Sequence, residues 1–339
     1  MTTFTQPPEP VGPAGPGEPA GARVARPARP RALIVTIYGL YARESGGWLS
    51  IAALIRLMAG LGTDEPAVRS AVSRLKRRGI LEQRRVDGAA GYGLSEAGRQ
   101  ALAEGDRRIF GRPRARLTDG WLLAVFSVPE PERSQRHALR TRLTWLGFGT
   151  VAAGVWIAPG HLAEETTQVL DRAGLAGYVA LFRADYLAFG DVAGQLGRWW
   201  DLGRLRRMYT EFTDAYAPVL RRWEGGPSAD ERAADGAGGG AGGAGADGAR
   251  GGAGGAVSDA AAFADYVTAL TDWRRLPFLD PGLPAELLPA HWPGSQAADL
   301  FGRLRARLDT PARRHARTIT GRRALQPRVP DPRPHDHRC

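Results

Sequence analysis

Cysteine is all but missing: Cys339, the last residue, is the only one in a chain of 339. That excludes a disulfide framework and a cysteine-held metal. His137, His161 and His291 stand far apart with no ligand spacing, and His335 and His337 fall near the C-terminal end. Neither a metal site nor a cofactor is therefore expected. No run approaches the roughly 18 uninterrupted apolar residues that span a bilayer, and the Pro-rich N-terminus has no apolar signal core. A cytoplasmic protein with no membrane partner fits. A G-x-S-x-G elbow, a P-loop and a dinucleotide fingerprint are also absent, which leaves no case for an enzyme. Lysine is scarce too, because arginine supplies nearly all the positive charge.

What is present is 43% hydrophobic residues and a formal net charge of +11. The first is enough for real cores in two or three domains. The second suggests an acidic partner, but a GC-rich genome also favours Arg, Ala and Gly, so the placement of the charge has to decide.

Residues 1–30 read as a disordered Pro/Gly/Ala arm carrying Arg23, Arg26 and Arg29, with too few large apolar groups to offset the entropy of ordering. Residues 225–257 are nearly all Gly and Ala with scattered Asp, a disordered insertion that no packed element can use. From Arg313 to the end, eight Arg face Asp331 and Asp336 among several prolines, which reads as a disordered basic tail over 313–339. Three ordered blocks remain: 31–112, 117–190 and 191–310. The fold class expected is α+β multidomain, with a winged helix-turn-helix, a ferredoxin-like βαββαβ domain and a mainly helical C-terminal domain.

In the first block Leu33, Ile34, Ile37, Leu40 and Tyr41 predict an amphipathic helix over 31–43, ended by Gly46 and Gly47. Trp48 and Leu49 can form a short strand, and Ser50 is placed to cap a second helix with the stripe Ile51, Leu54, Ile55 and Met58. A third helix is expected from Asp64 to Arg78, with Thr63 as N-cap and Asp64 and Glu65 in the first turn. Its back is Val68, Ala71, Val72 and Leu75; its front is Arg69, Ser70, Ser73, Arg74 and Arg77. Leu81–Val86, a turn from Asp87 to Gly91, and Tyr92–Leu94 then read as a hairpin, the wing.

Between Arg69 and Arg85 seven basic residues face Glu82 alone, a local balance of +6. A helix of this kind fits the major groove of double-stranded DNA, where Arg bonds guanine O6 and N7 and Ser serves several bases, while the wing residues Arg84, Arg85 and Tyr92 meet the backbone. The bland alternative is a small helical domain with a solvated basic face.

In the second block Trp121–Val128 is an apolar strand, Glu132–Leu146 a helix with Leu139, Leu143 and Leu146 inward, Phe148–Ala152 and Val155–Ala158 two strands, His161 to about Arg172 a helix, and Tyr178–Phe182 the last strand. This βαββαβ order is ferredoxin-like. Such domains pair through sheets or sheet edges and can form the homodimer that a palindromic operator requires. The same architecture houses metal-dependent nucleases with an Asp at the end of the first strand, where this chain has Ser127, Val128 and Pro129. In the third block Leu202, Leu205, Tyr209, Phe212, Tyr216, Val219 and Trp223 trace one helical face, with Pro218 placed to kink or end its first part, and Phe263, Tyr266, Val267 and Leu270 trace another.

Three segments carry a resemblance: GGWLSIAALIRLMAGLG with AVRSAVSRLKRRGIL in the first block, LRTRLTWLGFGTVAAGVWIAP in the second, and WRRLPFLDPGLPAELLPAHWPG in the third. The chain resembles the PaaX-like repressors of phenylacetate degradation. What the resemblance implies is a homodimeric repressor that leaves its operator on binding an aryl-CoA thioester such as phenylacetyl-CoA, with DNA contacts at Arg69, Ser73, Arg74, Arg77, Arg84, Arg85 and Tyr92. The chain departs from the family in its Gly/Ala insertion, its two tails and a Gly-rich wing. A CoA thioester needs cations for its phosphates and an aromatic slot for its acyl group. Candidates are Arg140, Trp145, Arg183, Trp199, Tyr209 and Arg274, each with a plain structural role as the alternative. The competing function is a nucleic-acid-processing factor built on the second block; a regulator with a different effector is a third.

Overall fold

The computed structural model describes residues 30–43, 46–111, 114–187, 189–225 and 253–321, with only the backbone for 253–258. The arm, most of the Gly/Ala insertion and the end of the basic tail lie outside the described residues.

The chain starts with α1 (Pro30–Ile37), whose last turn widens into a π turn over Tyr38–Ala42. Then follow β1 (Trp48–Ser50), α2 (Ile51–Ala59), α3 (Glu65–Arg77), the hairpin β2 (Leu81–Val86) and β3 (Ala89–Leu94), and α4 (Glu96–Gly111). Ser50 caps α2 by accepting from the Ala53 amide at 3.1 Å. The three strands form an antiparallel sheet in the order β1-β3-β2.

The second unit is β4 (Trp121–Phe126), α5 (Arg133–Leu146), β5 (Gly149–Ala152), β6 (Val155–Pro159), α6 (Ala163–Arg172) and β7 (Val179–Ala184). Its strands lie in the order β5-β6-β4-β7, all neighbours antiparallel, which is the ferredoxin-like arrangement expected. Alternation along β4 sends Leu122 and Ala124 into a core with Leu139, Leu143 and Leu146 of α5 and Val169 and Leu170 of α6. Trp121 on the opposite face meets Leu196 and Trp200 from α7 (Val192–Trp199) and the residue after it.

The remaining helices are α8 (Leu202–Glu224), α9 (Ala253–Trp273), the single turn α10 (Leu276–Leu279) and α11 (Pro293–Thr320). Three expectations change here. Pro218 does not end α8. It is exposed, as is Asp214 one turn earlier, so the carbonyl left without its amide partner can bond water, and burial of Phe212, Tyr216 and Leu220 outweighs a proline cost of about 3 kcal/mol. The basic tail does not begin at Arg313, because α11 runs on to Thr320 with Ala312 and Ala316 buried, Arg313 paired with Asp309 at 2.8 Å and Arg314 with Asp259 at 2.6 Å. The insertion yields to helix from Ala253 on. Among the described residues no helix is long and apolar enough to cross a membrane.

One continuous core joins the first block to α8, α9 and α11. It holds Ile34, Ile37, Val72 and Leu75 together with Phe212, Phe263, Tyr266, Phe301 and Leu308. Inside it Thr36 and Thr271 share a buried 2.8 Å hydrogen bond, and the rings of Tyr41 and Phe263 lie 5.5 Å apart. Truncation of the fully buried Phe263 is expected to cost about 3 to 5 kcal/mol. In Phe263→Ala, amide exchange should accelerate in α1 as well as α9; unaltered protection of α1 would contradict a shared core.

Candidate nucleic-acid interface

Helix α3 is held by its back. Val68, Ala71, Val72 and Leu75 are all buried, so hydrophobic periodicity fixes its rotation about its axis. Its start differs from expectation by one residue. Asp64, not Thr63, is the N-cap, accepting from the Ala67 amide at 2.8 Å; a carboxylate there also complements the helix dipole. The front is free of the core: Arg69, Ser70, Ser73, Arg74 and Arg77 are all exposed, as are Lys76 and Arg78.

The hairpin turns more tightly than expected. Val86 pairs with Ala89, leaving only Asp87 and Gly88 in the turn, both at positive φ, as a two-residue Asp-Gly turn requires. Arg84 and Arg85 are exposed and, as neighbours on one strand, point to opposite faces. Tyr92 is only partly exposed and packs against the core, while its carbonyl accepts from the Tyr38 hydroxyl at 2.9 Å. The Trp48 indole donates to the Arg84 carbonyl at 3.0 Å, and Lys76 reaches Gln83 at 3.4 Å. Helix and hairpin are thus one braced unit with a basic front.

The glycines of the wing have a packing reason. A Cβ on Gly91 would stand 2.3 Å from the Leu49 carbonyl oxygen and 2.6 Å from the Trp48 ring, whereas the nearest atom to one on Gly93 is 3.7 Å away. The strand is bare where the Trp48 indole lies across it.

Arg69 is not idle. It pairs with Glu65 at 2.6 Å, both half exposed, an i,i+4 contact worth about 0.3 to 0.5 kcal/mol. That is too little to hold the guanidinium back from a bidentate partner, for which discrimination of about 1 to 3 kcal/mol is typical. A helix of 13 residues is about 20 Å long, and a groove about 12 Å wide accepts it.

The six effector candidates are not brought to one place. Arg140 on α5 and Arg183 on β7 are exposed. Trp199 packs edge-on against Trp121 and Tyr186. Tyr209 is buried and donates to Asp280 at 2.7 Å. Trp145 lies beside Phe278, rings 5.7 Å apart, and Arg274 sits four residues before that Phe.

Sequence reasoning missed α4 and the residue on it that meets Trp145. Arg108 is 2% exposed; its guanidinium stacks 4.0 Å over Trp145, pairs with Glu165 at 3.0 Å and donates to the Trp145 carbonyl. The signal available was Ser95, which caps α4 by accepting from the Gly98 amide at 3.0 Å.

At the end of β4, where a nuclease of this architecture would place an Asp, stand Phe126 and Ser127. Among the described residues no group of three or more His, Cys, Asp or Glu could hold a metal.

Three family descriptions match the chain in order: "PaaX-like protein" over residues 29–98, "PaaX protein central Cas2-like domain" over 114–195, and "PaaX-like protein C-terminal domain" over 251–318. The transcriptional repressor PaaX of Escherichia coli (strain K12) is 26% identical over 272 residues, 79% of this chain and 77% of that protein. An uncharacterized protein from Mycobacterium tuberculosis, known as a solved structure, is 22% identical, with 85% of this chain and 98% of that one covered and a TM-score of 0.47.

The close approach at Gly91 generates a prediction. Gly91→Ala should destabilise the protein by about 1 to 3 kcal/mol, as overpacking does, and shift Trp48 fluorescence, while Gly93→Ala should stay within about 1 kcal/mol. Equal midpoints for the two variants in urea would show that the indole does not lie on the strand.

Proposed function

The chain belongs to the PaaX-like family of transcriptional regulators, and from that membership we propose that it is a repressor that reads double-stranded operator DNA with α3 and the β2–β3 wing. The observation that carries this reading is the exposed row Arg69, Ser70, Ser73, Arg74 and Arg77 on a helix whose back is locked in the core. The helix face supplies base contacts and sequence preference; Arg84, Arg85 and the edge of Tyr92 supply backbone contacts and salt sensitivity. The protein acts as a homodimer, since a two-fold operator calls for a two-fold reader. Val125 and Phe182, 40% and 52% exposed, flank Leu123 on the same face of the central sheet, which supports pairing through that sheet. The effector is an aryl-CoA thioester of the phenylacetyl-CoA type that releases the operator, and the controlled genes are those of aromatic catabolism.

Anisotropy of labelled DNA from upstream of its own gene and its neighbours tests the reading, with and without a panel of acyl-CoAs. Two chains per duplex and release by phenylacetyl-CoA alone are expected; indifference to every CoA ester would remove the effector. Arg69→Ala and Arg77→Ala should each reduce discrimination between operator and unrelated DNA by about 1 to 3 kcal/mol if the guanidinium bonds a guanine. Arg84→Ala should weaken all sequences alike and reduce the salt slope by about 1. Wild-type affinity and discrimination in Arg69→Ala would take that residue out of the reading set.

A further inference from the structure

The reading helix and the wing leave the basic tail, one of the places where the chain departs from its family, without a role. Residues 322–339 lie outside the described residues, but the described ones fix where they start. Helix α11 ends at Thr320, and Gly321, at φ +68, closes it. The last turns of α11 are tied to the head. The Arg313 guanidinium donates to the Leu40 carbonyl at 3.2 Å, and Arg56, in the last turn of α2, donates to the Ile319 carbonyl at 2.9 Å. Ala316 is buried in the core shared with α1 and α3.

We propose that the segment starting at Arg322 is a second DNA-contacting arm, which binds duplex phosphates on the α2 side of the reading helix. Its exit is in the right place. The Thr63 amide returns to the Met58 carbonyl at 3.0 Å, so the connection from α2 to α3 is tight and Arg56 stands near the N-terminal end of α3, away from the end where the hairpin begins. When a helix-turn-helix binds DNA, the helix before the reader crosses the backbone and the reader's N-terminal residues meet the bases. The tail therefore leaves the fold beside the DNA backbone. The outer face of α2 there is Ala52, Arg56 and Ala59, all exposed, so one cation and no bulky side chain faces an approaching strand.

Reach and charge agree with this placement. A chain extends no more than about 3.6 Å per residue, so Arg322 and Arg323 lie within about 15 Å of the Ile319 contact and Arg328 within about 32 Å, whatever path they take. One duplex turn is about 34 Å. Arg322, Arg323 and Arg328 all precede the first acid of the tail, Asp331, so the part nearest the head is basic without compensation. Arginine on phosphate adds affinity and salt dependence but no sequence preference. The arm deepens the operator reading and rests on it.

Salt titration of full-length protein on two duplexes, one from upstream of its own gene and one unrelated, provides the test. In the triple variant Arg322→Gln, Arg323→Gln, Arg328→Gln, affinity for both duplexes should fall about tenfold or more, by the same factor. The slope of log affinity against log salt should become shallower by about 2 to 3, with the melting temperature unchanged. The corresponding triple Lys variant keeps the charge and should retain the wild-type slope. Unchanged affinity and slope in the Gln variant, or a slope lost in the Lys variant as well, would overturn the arm and leave reading by α3 in place. A loss confined to the upstream duplex would overturn the phosphate assignment in favour of base contacts. Wild-type protein that binds neither duplex would overturn the operator reading and the arm together.

Discussion

The structure depends on a hydrophobic core that ignores the order of the chain. Val68, Val72 and Leu75, which carry the back of the basic helix, belong to the same buried cluster as Phe263, Tyr266, Phe301 and Leu308 from helices some 200 residues away in sequence. Close-packed interiors transmit displacement instead of absorbing it. The basic face therefore cannot reorient unless the C-terminal helices accommodate it. The buried Thr36–Thr271 hydrogen bond adds direction to this contact, each hydroxyl being fixed as well by a carbonyl of its own helix, Ala32 and Val267.

A second link ties the head to the central unit, and it is polar. Arg108 projects from α4 into a place where Trp145, Glu165 and Phe278 meet, so one buried guanidinium touches the central unit on two helices and the C-terminal region on one turn. Such a charge is stabilising only while its partners stay in place, because removal of either leaves the other desolvated. Core and guanidinium together make the head part of a larger body. Changes beside α10 can therefore reach the wing through α4.

Local pattern made much of this legible. The apolar stripe of α3, the cap at Ser50 and the alternation of β4 each follow from neighbours within a few residues, so the exposed row from Arg69 to Arg77 and the βαββαβ order could be read directly, whereas the cap of α3 fell one residue later than Thr63, on Asp64. The errors were also local in origin. Pro218 argues for a break when only the chain is considered, but side chains buried on the other face of α8 keep the helix whole. The Gly-rich hairpin departs from the family pattern for a reason outside its own segment, because the Trp48 indole lies across Gly91. The shared core and the Arg108 contact are long-range facts. No spacing within a segment encodes which carboxylate an arginine meets or fails to meet, and six effector candidates chosen by residue type fell in separate neighbourhoods.

In the proposed function, α3 and the β2–β3 hairpin are the surface that meets DNA. Hydrogen–deuterium exchange of the full chain, free and bound to its operator duplex, addresses it most directly. Slowed exchange is expected to concentrate in residues 65–77 and 81–94, with a smaller change along α1 and α9 through the shared core. Protection confined to the central sheet, with α3 and the hairpin unchanged, would contradict it.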